Sequence, residues 1–99
     1  MVMVILRVRV RSGHESEFEA MVEPAHSLAL STRGFIRLDR YTASDDEQML
    51  LLEFESHESL AEWRDDPGNA ATQGTDRDRL FSAYRIQVCD VVREYEFVE

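Results

Sequence analysis

Ninety-nine residues make one small domain, 1–99, with no space for a second core. Twenty acidic residues against eleven arginines leave a net charge of −9, which argues against nucleic-acid and anionic-membrane partners, and the absence of lysine excludes Schiff-base chemistry and a lysine-held pyridoxal cofactor. No apolar run approaches the ~20 residues of a bilayer span, no signal-peptide order is present, and one cysteine, Cys89, cannot form an internal disulfide, so the expected compartment is the reducing cytoplasm.

Val2, Val4, Leu6, Val8 and Val10 alternate strictly, the mark of a strand with one fully apolar face. Its other face begins with Met3 and Ile5 and ends in Arg7, Arg9 and Arg11. Ser12-Gly13-His14-Glu15 fits a capping box and predicts a helix start. Phe18, Met21, Val22, Ala25, Leu28 and Ala29 form one helical stripe, with Pro24 inside it predicting a kink near Ala20 or Met21 and Gly34 predicting the stop. Phe35 to Thr42 reads as a second strand, Ala43 to Gln48 as a polar turn and Met49 to Glu55 as a third strand. Ser56 caps the next helix, which carries Leu60, Ala61 and Trp63 and ends at Pro67-Gly68. Asn69 to Ser82 is expected to hold one or two further helical turns, with Leu80 and Phe81 packing inward. The last strand is predicted from Ala83 to about Phe97.

Two strand–helix–strand halves make βαββαβ, and right-handed crossovers fold that order into an α+β, ferredoxin-like antiparallel sheet with both helices on one face. The first and third strands then lie in the middle. Both are apolar front and back: Met3 and Ile5 oppose Val4 and Leu6, and Met49 and Leu51 oppose Leu50 and Leu52. Two helices cover one face only. The other face calls for a second copy, so a homodimer built sheet against sheet is expected, and the segment Arg93 to Glu99 either reaches the partner or frays.

Phe54 to Trp63 (F-E-S-x-E-S-L-A-E-W), Asp66 to Asn69 (D-P-x-N) and Ala83 to Val91 (A-Y-R-I-Q-V-C-D-V), with Gly34-Phe35 opening the second strand, resemble the antibiotic biosynthesis monooxygenase domain. The resemblance spans essentially the whole chain. It implies a dimeric α/β barrel and a range of roles: cofactor-free oxygenation of aromatic polyketides and quinols, haem degradation, or none assigned. Trp63 matches the tryptophan that lines the pocket of oxygenase members. One turn earlier, where some of those members have Asn, stands Ser59; where many have His stands Asn69. The two markers of the haem-degrading branch fall on Gln73 and Leu6, so the resemblance does not extend to haem.

The expected chemistry is therefore monooxygenation of a small aromatic, quinol or polyketide-type, with O₂ and no cofactor. Trp63 lines the pocket, Asn69 and Tyr84 orient or donate hydrogen bonds, and Arg85 holds developing negative charge. The alternative is a non-catalytic dimeric domain that binds a small molecule or acts as an accessory subunit. Each residue has a plainer use. Trp63 can be a core anchor, Asn69 a helix cap, Tyr84 strand packing, Gln73 a solvated side chain and Cys89 a buried, inert thiol. The stripe Arg7, Arg9, Arg11 is expected to pair with carboxylates. His14, His26 and His57 lack metal-ligand spacing, and no metal site is expected.

Overall fold

The computed structural model describes residues 1–69 and 77–99. Among these, four strands and three helices occur in the order β1 (Val2–Val10), α1 (Glu15–Leu30), β2 (Phe35–Thr42), β3 (Gln48–Phe54), α2 (His57–Asp65), α3 (Arg77–Leu80) and β4 (Phe81–Asp90). All neighbours in the sheet are antiparallel, and the spatial order is β2-β3-β1-β4. This is the ferredoxin-like arrangement expected from the sequence, with β1 and β3 central.

Alternation sorts the side chains between two faces. Val2, Val4 and Leu6 of β1 stand opposite Phe54, Leu52 and Leu50 of β3. These residues pack with Ala25 and Ala29 of α1 and Leu60 and Trp63 of α2 into the main core. A second cluster joins Val8, Phe18, Leu80 and Phe81, so the inward packing expected of Leu80 and Phe81 is present. The opposite face carries Met3, Ile5 and Arg7 of β1 against Glu53, Leu51 and Met49 of β3, and no helix among the described residues covers it. Glu53 is buried there with the Arg37 guanidinium at 2.9 Å.

The helix ends depart from the sequence reading. Helix α1 is entered through His14, whose side chain makes no capping bond, rather than Ser12. Gly13 at φ 88° and a His14 N–H to Arg11 carbonyl bond of 3.0 Å fold Ser12 into a turn ahead of the helix. One helix continues through Pro24. It stops at Leu30, ahead of Gly34, because the Ser31 and Thr32 hydroxyls both donate to the Leu28 carbonyl, at 2.8 and 2.9 Å. Gly34, at φ 87°, instead turns the chain into β2, and its carbonyl accepts the Glu55 N–H at 2.7 Å. A Cβ at Gly34 would collide with the Ser59 hydroxyl. Ser56 caps α2 as expected, accepting the Ser59 N–H at 3.2 Å.

The last strand is shorter than predicted. Beside it β1 begins at Val2, and Val91 still donates to the Met1 carbonyl at 3.0 Å, but residues 92–99 find no backbone to ladder with among the described residues. Val92, Tyr95, Phe97 and Val98 are 77–89% exposed there. Of the helical turns expected between Asn69 and Ser82, α3 is seen; residues 70–76, and with them Gln73, lie outside the described part.

Candidate functional site

Trp63 sits on the inner side of α2 and is 6% exposed. Its indole crosses the gap between the helices, and Nε1 donates to the Ala25 carbonyl of α1 at 3.0 Å. The ring packs against Phe54 at 5.7 Å between centroids. Behind it, Asn69 is fully buried and its Nδ2 donates to the Trp63 carbonyl at 2.9 Å. The expected helix-cap role of Asn69 therefore takes a definite form: its amide holds the last turn of α2, and through it the indole.

Trp63 also walls a cavity. A space of about 60 Å³ lies between the sheet and the helices, lined by Val4, Leu6, Leu50, Val22, Trp63 and Ile86 among others, with Arg77 at its side. An adjoining hollow of about 400 Å³ shares Val4, Trp63, Arg77 and Ile86 and adds Leu60, Arg64, Asp65 and Val88. The inner space alone is smaller than the ~150 Å³ apolar cavity that accepts a benzene ring. A flat ligand would therefore use both, with the indole along the passage. Leu6, at the position where the haem-degrading branch carries Asn, makes the inner wall apolar.

The remaining sequence candidates are dispersed. Tyr84 stands opposite Val8, on the helix side of the sheet, and is 44% exposed. It meets Phe81 edge-to-face at 6.3 Å, and the Arg77 guanidinium lies 5.7 Å from its ring centre. Tyr84 thus supports Arg77 at the cavity wall. Arg85 is opposite Arg7, on the uncovered face, separated by the sheet from Trp63. It lines a different hollow, with Arg7, Glu47, Ala83 and Tyr84. Arg77 is the residue that sequence reasoning missed. It falls in a polar run without periodicity, and only the fold carries it to the indole.

Charge elsewhere is largely paired. Arg40 bridges β2 to α1, holding the Glu19 carboxyl below its ordinary range through a charged hydrogen bond. Arg79 does the same to Glu17 and Arg9 to Asp45. Of the stripe on β1, Arg9 has its carboxylate, Arg11 donates to the Asp78 carbonyl at 3.0 Å, and Arg7 has neither among the described residues. Cys89 is exposed rather than buried, because it falls on the uncovered face of edge strand β4, opposite Met3. His57 lies 2.6 Å from Asp90, His14 contacts Glu17 and His26 meets the Phe35 ring. No three metal-ligating side chains gather among the described residues, nor is any helix there long and apolar enough to cross a membrane.

The family model described as antibiotic biosynthesis monooxygenase matches residues 1–75. The chain belongs to that family. Solved structures repeat its fold. Rv0793 from Mycobacterium tuberculosis superimposes with a TM-score of 0.82 at 22% identity, covering 96% of this chain and 98% of the other. A variant of SnoaB, a cofactor-independent oxygenase from Streptomyces nogalater, gives 0.77 at 16% identity, with 94% of each chain covered. A variant of MhuD with two manganese protoporphyrin IX molecules per active site gives 0.69 at 18%, covering 98% of this chain and all of the other. At these identities the likeness is one of fold. No curated protein sequence matches the chain significantly.

Proposed function

We propose that the chain is a cofactor-independent monooxygenase of a small aromatic substrate, a quinol or a polyketide-type ring. The observation that carries this reading is the apolar chamber walled by Trp63, in a member of a family that includes such oxygenases. In this reading the substrate ring lies beside the indole and reaches into the inner space. Its own phenolate or enolate supplies the electrons to O₂. One oxygen atom becomes a ring carbonyl and the other leaves as water with the hydrogen of the oxidised ring carbon and one hydroxyl hydrogen, so a phenol becomes a quinone and no external reductant is consumed.

The protein's part is desolvation, orientation and charge. Leu6, Leu50 and Val22 exclude water, which strengthens every charge interaction inside. Arg77 faces the chamber and holds the substrate anion, a role the sequence had suggested for Arg85. Tyr84 positions Arg77, and Asn69 positions Trp63. Incubating the metal-free protein with a panel of dihydroxy-aromatics and following O₂ uptake tests this. Uptake is expected, falling about tenfold or more in Arg77→Gln and clearly in Trp63→Phe and Asn69→Ala.

One observation favours the second reading, a non-catalytic binding domain. The indole N–H and the Asn69 amide are both already engaged, so neither is offered to a ligand. Quenching of Trp63 emission without O₂ uptake across the panel decides for binding alone.

The assembly proposed is a homodimer closed over the uncovered face. Met3, Ile5, Met49 and Leu51 lie there without a helix, and the apolar residues beyond β4 stand in water in a single chain. A stable monomer in sedimentation at micromolar concentration overturns it.

A further inference from the structure

The inner space and the outer hollow beside Trp63 differ in what walls them. They share Val4, Trp63, Arg77 and Ile86. The outer hollow adds the polar pair Arg64 and Asp65. Past the shared residues, the inner space is walled by aliphatic side chains of β1, β2, β3 and α1, among them Leu6, Val22, Ala25 and Leu38. The indole offers it no donor, because Nε1–H is engaged by the Ala25 carbonyl at 3.0 Å. Water held in a cavity needs two to four polar partners, and these aliphatic side chains supply none, so the deep end is dry. At about 60 Å³ the space is well below the ~150 Å³ that takes a benzene ring, yet several times the ~10–15 Å³ that a single water-sized molecule requires. A ring coming from the outer hollow brings one edge past the indole and goes no further. The space lies beneath the helices, away from the face on which a second copy is proposed to pack.

We propose that the deep end of the inner space is a docking site for dioxygen, separate from the hollow that takes the ring. Dioxygen as the occupant rests on the oxygenase reading; the fit of a small apolar gas rests on the space itself. A neutral diatomic has no hydrogen bonds to lose, so like any apolar surface it leaves water for an aliphatic wall. Inside, it restores the close contacts that a void denies to its lining. Two heavy atoms carry little binding free energy, which puts the dissociation constant at about the millimolar level. Arg77 borders both spaces, so negative charge that develops between ring and gas forms beside a guanidinium. Ala25, the smallest side chain on the inner wall, keeps the space open.

The test uses the full chain under xenon, a probe that dry apolar cavities take up. Trp63 is the sole tryptophan and walls the space, so heavy-atom quenching of its emission reports entry. Quenching should saturate with xenon pressure. Affinity should fall about fivefold or more in Ala25→Val, whose added methyl groups occupy the space, and rise in Val22→Ala, which enlarges it. Hydroquinone titrated under argon should bind Ala25→Val within about twofold of the wild type, because the ring needs only the edge of the inner space. In turnover, Ala25→Val should raise the KM for O₂ more than it lowers kcat. Quenching that rises linearly with xenon pressure, and equally in all three proteins, overturns the site. So does an Ala25→Val chain that loses hydroquinone and keeps xenon, since the ring then fills the inner space. Where Ala25→Val does not fold, Val22→Ala decides: xenon affinity that fails to rise in it overturns the proposal. O₂ uptake without a saturable xenon site overturns this inference and leaves the oxygenase reading standing. Saturable xenon binding without uptake overturns the oxygenase reading, and dioxygen as the occupant with it.

Discussion

The side of the sheet beneath the helices and the side facing away from them use the same four strands but are completed differently. Beneath the helices, the central strands pack against apolar residues of α1, α2 and α3, and Trp63 walls a small apolar space. On the far side, the apolar centre of Met3, Ile5, Met49 and Leu51 is ringed by charge: Arg37 with Glu53 toward one end, Arg7 with Arg85 toward the other. One face is finished by its own chain. The other has the composition of an interface, with apolar residues in the middle and polar ones at the rim. Strand alternation alone sets this up, because a shift by one residue would exchange the two faces.

Removing the indole should give the largest effect. Trp63→Ala deletes the wall between the chamber and Phe54 and the bond to the Ala25 carbonyl, and should cost about 3–5 kcal/mol in urea unfolding. Tyr41→Ala, on the uncovered side, should cost well under ~1 kcal/mol in a dissociated chain. Equal losses at the two sites would erase the distinction between the faces.

Leu51→Asp sharpens the comparison from the other side. A carboxylate in the apolar centre should weaken self-association by about a hundredfold or more, read by sedimentation, while far-ultraviolet circular dichroism stays unchanged. Asn69→Ala comes next. It frees the buried Trp63 carbonyl and should cost about 1–3 kcal/mol, with a shift in indole emission because the last turn of α2 loosens.

The smallest effect expected is a pH dependence. The Arg partners lower the carboxyls of Glu17 and Glu19 from the ordinary 4.5. A carboxyl lowered in the folded state adds stability above its unfolded value, and that contribution disappears as pH falls through the folded value. Melting temperature should therefore drop below about pH 4.5, and less steeply in Arg40→Gln, where Glu19 loses its partner.

The strands, their order and the two-faced character of β1 and β3 were legible because a period of two is written directly in side-chain polarity. The burial of Trp63 was legible too, as a large apolar residue on a short helix, but the space beside it was not, since residue type does not say whether packing is complete. Arg77 was not, since its place depends on how the chain returns to β4. The helix boundaries misled for a local reason: Ser12 and Gly34 are residues that end helices in isolation, yet turn bonds around His14 and Leu28 set the ends elsewhere. Cys89 and the end of β4 misled because a strand pattern says which residues can pair, not whether a neighbour exists.

The contact between Gly34 and Ser59 ties two distant choices of residue together. The hydroxyl occupies the spot a methyl group at 34 would need, and it is braced by Ser56 Oγ at 3.1 Å. Position 59 is also where the family resemblance sets Ser against the Asn of some oxygenase members. Swapping that amide in alone would press a bulkier side chain onto backbone already bent at φ 87°. Grafting the amide therefore needs the loop before β2 to be rebuilt at the same time, and sequences related to this one should trade size between the two positions.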